Sequence, residues 1–491
     1  IGHYRIEEVT APDGYTINKN YAEIKVDSDT LYQIEPVSGD AIIEVVYENH
    51  PVKGELTVVK KGEVLKDYGK DFKYEMENLA GAVFAIYAAE DIYTADFQKD
   101  DAGNRILEYA KDALVTELTT DETGSATIKN LPLGNYKVVE KTAPDGFVHN
   151  GTEQNVQYVY VDQNTPVVVE SVEFINERQK VEISVEKQDA ENGSTIAGAE
   201  FGLYAKEDIK AGEKVIVKAD EQLCTAVTGD DGTAVFEQDL PFGSYYIKEL
   251  QAPDGFVSSD EIIEVTVSYQ GQDVEVVRLK EIFKNQPTTV EFRKSDLTTG
   301  VELDGATLTV LDKDGNEIDK WTSVKGEPHI IKRLHVGETY ILREEFAPYG
   351  YLKAEEVEFT ITDTAEIQKV EMKDDVPIGR IIINKKGEFL SEVTWNEMVA
   401  GAMDSIWDYV TGSLKDVTFE IYAREDVKAA DGESDDYYKK DELVATITTD
   451  ELGFARSDDL PLGKYYVVEK ETANGFVLDG EPRDIDLTYR D

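Results

Sequence analysis

One cysteine, Cys224, stands in a chain of 491 residues, so no internal disulfide is possible. That scarcity fits the cytosol, and it fits equally a secreted protein stapled by other means. Long hydrophobic runs are missing too. No stretch approaches the ~20 apolar residues needed to cross a bilayer, so membrane insertion is not expected. The chain opens in mid-pattern at Ile1-Gly2-His3-Tyr4 and reads as an excised fragment. The lack of a signal peptide or C-terminal anchor therefore says nothing about location. Basic residues are outnumbered, 50 Lys and Arg against 101 Asp and Glu, for a net charge of −51. Like charge makes nucleic acid and anionic membrane poor partners. Such acidity keeps extended modules soluble and apart, with divalent-cation binding as a second reading. The five histidines are scattered without metal-ligand spacing. No phosphate loop, Ser/His/Asp order or basic patch is present, so no enzyme, cofactor or metal centre is expected.

Apolar residues make up 41% of the chain, enough for packed cores, and the length suits three to five β domains. A repeat divides it. YRIEEVTAPDGY from Tyr4, YKVVEKTAPDGF from Tyr136, YYIKELQAPDGF from Tyr245, YILREEFAPYGY from Tyr340 and YYVVEKETANGF from Tyr465 line up. Each carries a glutamate four places after its tyrosine: Glu8, Glu140, Glu249, Glu344 and Glu469. The spacing, roughly 95 to 130 residues, is that of domains rather than of a solenoid.

Side chains repeat every second residue along a strand, so Tyr136, Val138 and Glu140 share one face. The Pro-Asp-Gly that follows is a turn signal, and LPLGNY, LPFGSY and LPLGKY place another turn just upstream. Each full unit opens with a strand ending in lysine: Lys60, Lys187, Lys294 and Lys385. Three units close with a strand ending in Asn176, Asn285 or Asp374, and the partial first unit ends likewise at Asn49. Many short strands separated by turns predict an all-β chain of tandem immunoglobulin-like sandwiches. The expected divisions are 1–53 (the C-terminal part of a domain), 54–178, 179–286, 287–376 and 377–491, the last C-terminally truncated.

One segment departs from the pattern. Over 391–412, Trp395, Met398 or Val399, Ala402, Ile406 and Val410 fall at helical spacing. Thr394 and Glu397 resemble a capping box and Gly412 a stop, so an amphipathic helix packed on its own sandwich is expected. Residues 61–79 occupy the equivalent place in the first full domain and read as a shorter insertion.

Charged residues recurring at strand positions that read as buried need an account, because burying an unpaired charge costs several kcal/mol. One account is a lysine–glutamate salt bridge near a domain end. The other is covalent. Desolvation favours the neutral amine of a core lysine, which is a nucleophile. A protonated glutamate beside it can polarise an asparagine carbonyl and relay protons. Attack forms a side-chain amide with loss of ammonia, or of water where the acceptor is aspartate, and the fold supplies the proximity.

The repeat resembles the collagen-adhesin B-type (Cna-B, or SpaA-like) domains of Gram-positive surface adhesins and pilins. The YxVxExxAPxGF string is similar to the E-box of that family, whose glutamate promotes an intramolecular isopeptide bond. Carried over residue by residue, the resemblance implies Lys60–Asn176 promoted by Glu140, Lys187–Asn285 by Glu249, and Lys294–Asp374 by Glu344, with Asp375 the adjacent alternative. Lys61 and Lys386 adjoin two of the lysines, and alternation favours Lys60 and Lys385. Lys385 with Glu469, and Glu8 with Asn49, are counterparts that lack a complete set.

The resemblance implies a cell-wall-anchored stalk at the bacterial surface, with a host surface or matrix ligand bound by a tip outside this fragment and an anchor also outside it. The alternative is that one domain, 377–491 foremost, itself binds a host protein or glycan. A third reading is a polymerising pilin backbone, which in this family carries a YPKN-like lysine motif and a sorting signal; neither stands here, and truncation would account for that. Asp312-Lys313-Asp314-Gly315-Asn316 opens like a calcium loop but lacks the rest of one, and reads as a hairpin turn. Cys224 aligns with Thr116 and Ala445, a small strand position, and reads as a buried thiol.

Overall fold

Burial alternates along the longest strand. In Lys53–Tyr68 the buried positions are Gly54, Leu56, Val58, Lys60 and Gly62, with half-exposed residues between them. Period-two burial of this kind is what a sheet with one face on a core demands. The computed structural model describes residues 1–27, 32–94, 99–397 and 403–488, and their regular secondary structure is entirely β. The chain divides into two compact units, one of residues 1–189, 193–252 and 259–284, the other of residues 190–192, 253–258 and 285–491.

The first unit opens with an antiparallel pair, Gly2–Glu7 and Tyr21–Val26. A sandwich follows. One sheet orders Leu114–Thr119, Val83–Ala88, Gly134–Thr142 and Glu153–Tyr158, and the other Ser125–Leu131, Lys53–Tyr68 and Val167–Asn176. The last strand lies parallel to the first, so the two ends of the domain are neighbours in one sheet. The next sandwich repeats the plan. Gln222–Val227, Glu200–Ala205, Gly243–Gln251 and Ile262–Val267 form one sheet, and Thr233–Val235, Lys180–Asp189 and Val276–Asn285 the other. Leu56, Val58, Phe84, Ile86, Tyr136 and Phe174 centre the first core, and Ile183, Val185, Phe201, Leu203, Tyr245 and Phe283 the second.

In the second unit, Glu317–Thr322, Thr307–Leu311, Thr339–Phe346 and Val357–Thr360 face His329–Lys332, Thr289–Asp296 and Gln368–Asp374. The outer strands of that domain again run parallel. The last domain has the four-stranded sheet Leu443–Thr448, Thr418–Ala423, Gly463–Glu471 and Arg483–Leu487. The strand just before its lysine, Ile382–Asn384, pairs with Phe454–Arg456.

The helix expected over 391–412 is not formed. Lys386–Glu397 and Met403–Ser413 make an antiparallel hairpin, and Met398, Val399 and Ala402 lie outside the described residues. Val393 and Trp395 on one strand, and Trp407 and Tyr409 on the other, recur at period two. β-Branched and aromatic residues at that spacing favour a pleated strand. Thr394 and Glu397 thus fall within the strand Lys386–Glu397 rather than at the start of a helix. Trp395 and Trp407, expected to pack on the parent sandwich, are 60% and 52% exposed, and the contact with it is made at the hairpin base, where Phe389 meets Phe476 at 5.4 Å between centroids. Residues 61–79 are a hairpin too, formed by the end of Lys53–Tyr68 and Phe72–Asn78.

Asp312 accepts from the backbone of Asp314 and Asn316 at 2.9 and 2.8 Å, closing the turn between Thr307–Leu311 and Glu317–Thr322. Cys224 is half-buried, and burial pushes its thiol up to about 11, far from a reactive thiolate.

Candidate functional site

The E-box begins with its tyrosine. Tyr136, Tyr245 and Tyr465 are fully buried, and their hydroxyls donate to Pro132, Pro241 and Pro461 carbonyls at 2.8, 2.5 and 2.7 Å. The hydroxyl thus ties the strand to the turn that launches it. The sequence reading left this contact out, although the constant four-residue step from proline to tyrosine carries the signal. At the far end all five repeats close one turn: Tyr15, Phe147, Phe256, Tyr351 and Phe476 donate their N–H to the carbonyl three residues back, each at 3.1 Å. Glycine precedes each aromatic with φ between +80° and +91°, as Gly255 and Gly146 show. Positive φ at the third position of such a turn is open to glycine at little steric cost.

Between tyrosine and turn, alternation sends the glutamate inward. Glu140 meets Lys60 from the opposite sheet, with Nζ 3.1 Å from Oε1 and both side chains wholly buried. Asn176 Nδ2 donates to the two Glu140 oxygens at 3.1 and 2.9 Å. Among the described residues, Asn176 Oδ1 has no hydrogen-bond partner and the Lys60 amine has only its contact with Glu140. Burial pushes the Lys60 amine below the usual lysine range, and the neighbouring Glu140 opposes that only in part. Lys61 points the other way, paired with Glu173 at the surface at 2.6 Å.

The second sandwich sets Lys187 Nζ 2.8 Å from Glu249 Oε1, again fully buried. Two rings enclose the amine, Phe201 and Phe283, with centroids 5.4 and 5.7 Å away. Burial lowers the Lys187 pKa, and Glu249 counteracts it. Glu249 Oε2 accepts from Ser259 N at 2.9 Å, which fixes the carboxylate. Asn285 is buried at the end of its strand.

In the third sandwich Lys294 contacts both carboxylates, Glu344 at 2.9 Å and Asp374 in a short ion pair, all with side chains out of solvent. Burial raises the Asp374 carboxyl to about 6 against the pull of Lys294, with Glu344 adding to the rise. Asp375 is exposed and accepts from Val376 N, so Asp374 alone of the two faces the lysine.

Among the described residues the outer repeats each bring together two groups. Lys385 Nζ lies 2.7 Å from Glu469 Oε2, but the lysine side chain is 21% exposed and Glu469 Oε1 has no hydrogen bond among the described residues. In the first repeat Asn49 Nδ2 donates to Glu8 at 2.8 and 2.9 Å, in a half-buried site to which the sequence brings no lysine.

Chemically, the first and third sites hold an amine, a carboxyl group and a carboxamide or second carboxyl in a dry core, and the second holds the buried amine and carboxyl of Lys187 and Glu249. An asparagine amide turned over about its last torsion presents Oδ1 where Nδ2 stands. Turned so, Asn176 Oδ1 faces the Glu140 carboxyl.

Comparison with known proteins bears on the architecture. The chain matches the family described as SpaA, prealbumin-like fold domain, over residues 70–173, 181–281, 288–376 and 407–491. No curated protein matches it. Among solved structures, the Bacillus anthracis TIE protein is 18% identical, with 95% of this chain and 74% of that one covered and a TM-score of 0.40. BcpA, the major pilin subunit of Bacillus cereus, is 16% identical over 66% of this chain and all of its own, with a TM-score of 0.32. The shaft pilin SpaA of Lactobacillus rhamnosus GG is 13% identical over 48% of this chain and 98% of its own, with a TM-score of 0.19. The family match covers most of the sequence, and the chain belongs to the SpaA prealbumin-like domain family, present as tandem domains.

Proposed function

We propose that the chain is a load-bearing stalk segment of a bacterial surface protein, outside the cell, whose complete sandwiches are locked by self-formed amide bonds. Lys60 would join Asn176, Lys187 would join Asn285, and Lys294 would join Asp374, with Glu140, Glu249 and Glu344 as the promoting carboxyls. The observation that carries this reading is the buried triad of Lys60, Glu140 and Asn176 between the parallel first and last strands. In each of the first two locks the lysine amine attacks the asparagine Cγ, the new C–N bond replaces the old one, and ammonia leaves with protons relayed by the glutamate. In the third the leaving molecule is water. Each site turns over once, so this is maturation of the protein rather than enzymology.

The alternative is a permanent set of buried salt bridges. That reading fits less well, because a buried ion pair gains little over apolar packing unless its remaining polar atoms are satisfied. Among the described residues, Asn176 Oδ1 has no hydrogen-bond partner, and Lys60 Nζ meets only the Glu140 carboxyl. On the stalk reading, the contact with a host ligand and the attachment to the cell wall lie outside these domains. Intact mass of the folded protein tests the covalent claim. The expected deficit is two ammonias and one water relative to the sequence, and full sequence mass would sink it.

A further inference from the structure

Two hairpins grow from the same point in two domains. Lys60-Lys61-Gly62 begins one and Lys385-Lys386-Gly387 the other. In both, the glycine lies under the aromatic of its own E-box turn. A Cβ on Gly62 would come 2.4 Å from Phe147, and one on Gly387 2.4 Å from Phe476. Both hairpins carry a bulge at the same step, Lys66 in one and Ser391 in the other. On either side of the bulge the pairs correspond: Leu65 with Tyr74 matches Leu390 with Tyr409, and Tyr68 with Phe72 matches Val393 with Trp407. Directly paired residues share a face of the ribbon, so in each hairpin these two pairs lay apolar side chains on the same side.

On the first hairpin that side is occupied. Phe72 is buried within the core of the following sandwich beside residues such as Val181 and Leu240, and Leu65, Tyr68 and Tyr74 pack against the same core. Tyr68 and Tyr74 hydroxyls donate to the Leu223 and Asp239 carbonyls at 3.3 and 2.9 Å. The Arg178 guanidinium lies 3.7 Å from the centre of the Tyr74 ring. On the second hairpin the corresponding side is bare. Leu390, Trp407 and Tyr409 are 47, 52 and 56% exposed, and the further pair of Trp395 with Ser405 extends the face. It holds two of the three tryptophans of the chain. A contiguous aromatic face of this kind marks an interaction surface.

We infer that the paired strands Lys386–Glu397 and Met403–Ser413 form a clasp for a further sandwich of this same family joined in tandem. Trp407 enters the apolar rim of that sandwich as Phe72 enters the rim of residues 179–284. The receiving domain offers an apolar edge, a backbone carbonyl for the Tyr409 hydroxyl and a basic side chain over its ring. The first hairpin supplies the geometry and identifies the occupant by chemistry. The inference does not depend on the proposed cross-links.

The test exchanges the two hairpins within the full chain, residues 61–79 for 386–413, in a Trp321→Phe background. Trp395 and Trp407 then report alone, first from their native position and then from above the 179–284 sandwich. The expected result on exchange is a blue shift of emission and at least a twofold fall in acrylamide quenching, reversed by placing serine at Val393 and Tyr409. Emission and quenching unchanged by the exchange, with residues 181–284 still protected from hydrogen exchange, would overturn the proposal. Should the exchanged chain not fold, a second variant extends the intact chain after Asp491 with residues 163–286. The join keeps register because Leu487 and Tyr158 both pair with the first residue of an E-box strand, Gly463 and Gly134. The same blue shift is expected there, and its absence beside a protease-resistant appended domain counts against the clasp. A dimer of the unmodified chain that Trp395→Ser with Trp407→Ser abolishes would assign the face to a second copy and also overturn the proposal.

Discussion

Lys60 faces Phe174 across the parallel pairing of the first and last strands, and Asn176 therefore occupies the next inward position along. The third sandwich repeats the offset, with Lys294 opposite Met372 and Asp374 beyond it. An amide at this place has a mechanical consequence. Tension entering at the start of the first strand crosses the bond and leaves by the end of the last, so the residues between Lys60 and Asn176 carry no load.

Glu140→Ala is expected to leave the first full domain unlinked, with a mass gain of one ammonia and the other two locks intact. A cross-link closing a loop of about 100 residues contributes on the order of 4–5 kcal/mol through the entropy of the unfolded chain. The variant also strands a buried amine and carboxamide. Its unfolding midpoint in guanidinium should fall accordingly, while the mass deficit of the remaining domains is unchanged. A normal midpoint in an unlinked variant would remove the stabilising role.

The third domain should reveal Asp374 through pH. Lys294→Met removes the nucleophile and the cation together, leaving a carboxyl whose pKa burial already raises to about 6 with the lysine present. A folded pKa above the unfolded value of ~3.9 gives stability that is complete below ~4 and lost as pH climbs through the folded value. The variant should therefore lose about 3 kcal/mol or more between pH 4 and pH 8. Trp321, packed against the core of that domain, reports the unfolding once Trp395 and Trp407 are changed to phenylalanine. The linked parent should show no such decline, because its Asp374 has become an amide.

Tyr465→Phe tests the tie between strand and turn in the last domain, where Lys385 meets Glu469. The ring keeps its packing and only the hydrogen bond to Pro461 goes. The expected cost is about 1 kcal/mol in urea unfolding. Tyr466→Phe, whose hydroxyl makes an exposed contact with Asp441, is the control and should fall within about 0.5 kcal/mol of the parent.

Local signals made most of the E-box legible in advance. Tyrosine, glutamate and turn sit within one strand and its reversal, and period two is enough to send Glu140 and Lys60 inward. The parallel register that sets Asn176 two residues past Phe174 is a long-range property, and no local pattern encodes it. The hairpin at 386–413 was obscured for a related reason. Trp395, Ile406 and Val410 also satisfy helical spacing, and a short apolar segment is decided by what it pairs with rather than by its own period. The better indication lay elsewhere in the chain. Lys-Lys-Gly recurs at 60–62 and 385–387, and with residues 61–79 in the equivalent place one structure had to serve both.

Phe72 provides the last prediction, because its substitution should act on a domain to which it does not belong. The residue is carried by the hairpin of the first full domain, yet it is buried among Val181, Ile209, Val217 and Leu223 of the next. Removing a buried phenylalanine ring costs about 3–5 kcal/mol when the surroundings cannot close the cavity. In Phe72→Ala that loss should appear as faster hydrogen exchange in residues 181–284, with the strands Val83–Ala88 and Gly134–Thr142 of the parent domain unaffected. If protection fell in the parent domain instead, Phe72 would be part of its own core and the hairpin no more than an extension of it. Loss confined to the neighbour means that adjoining sandwiches share side chains as well as a linker. Bending between the two domains then requires withdrawing an aromatic ring from a core.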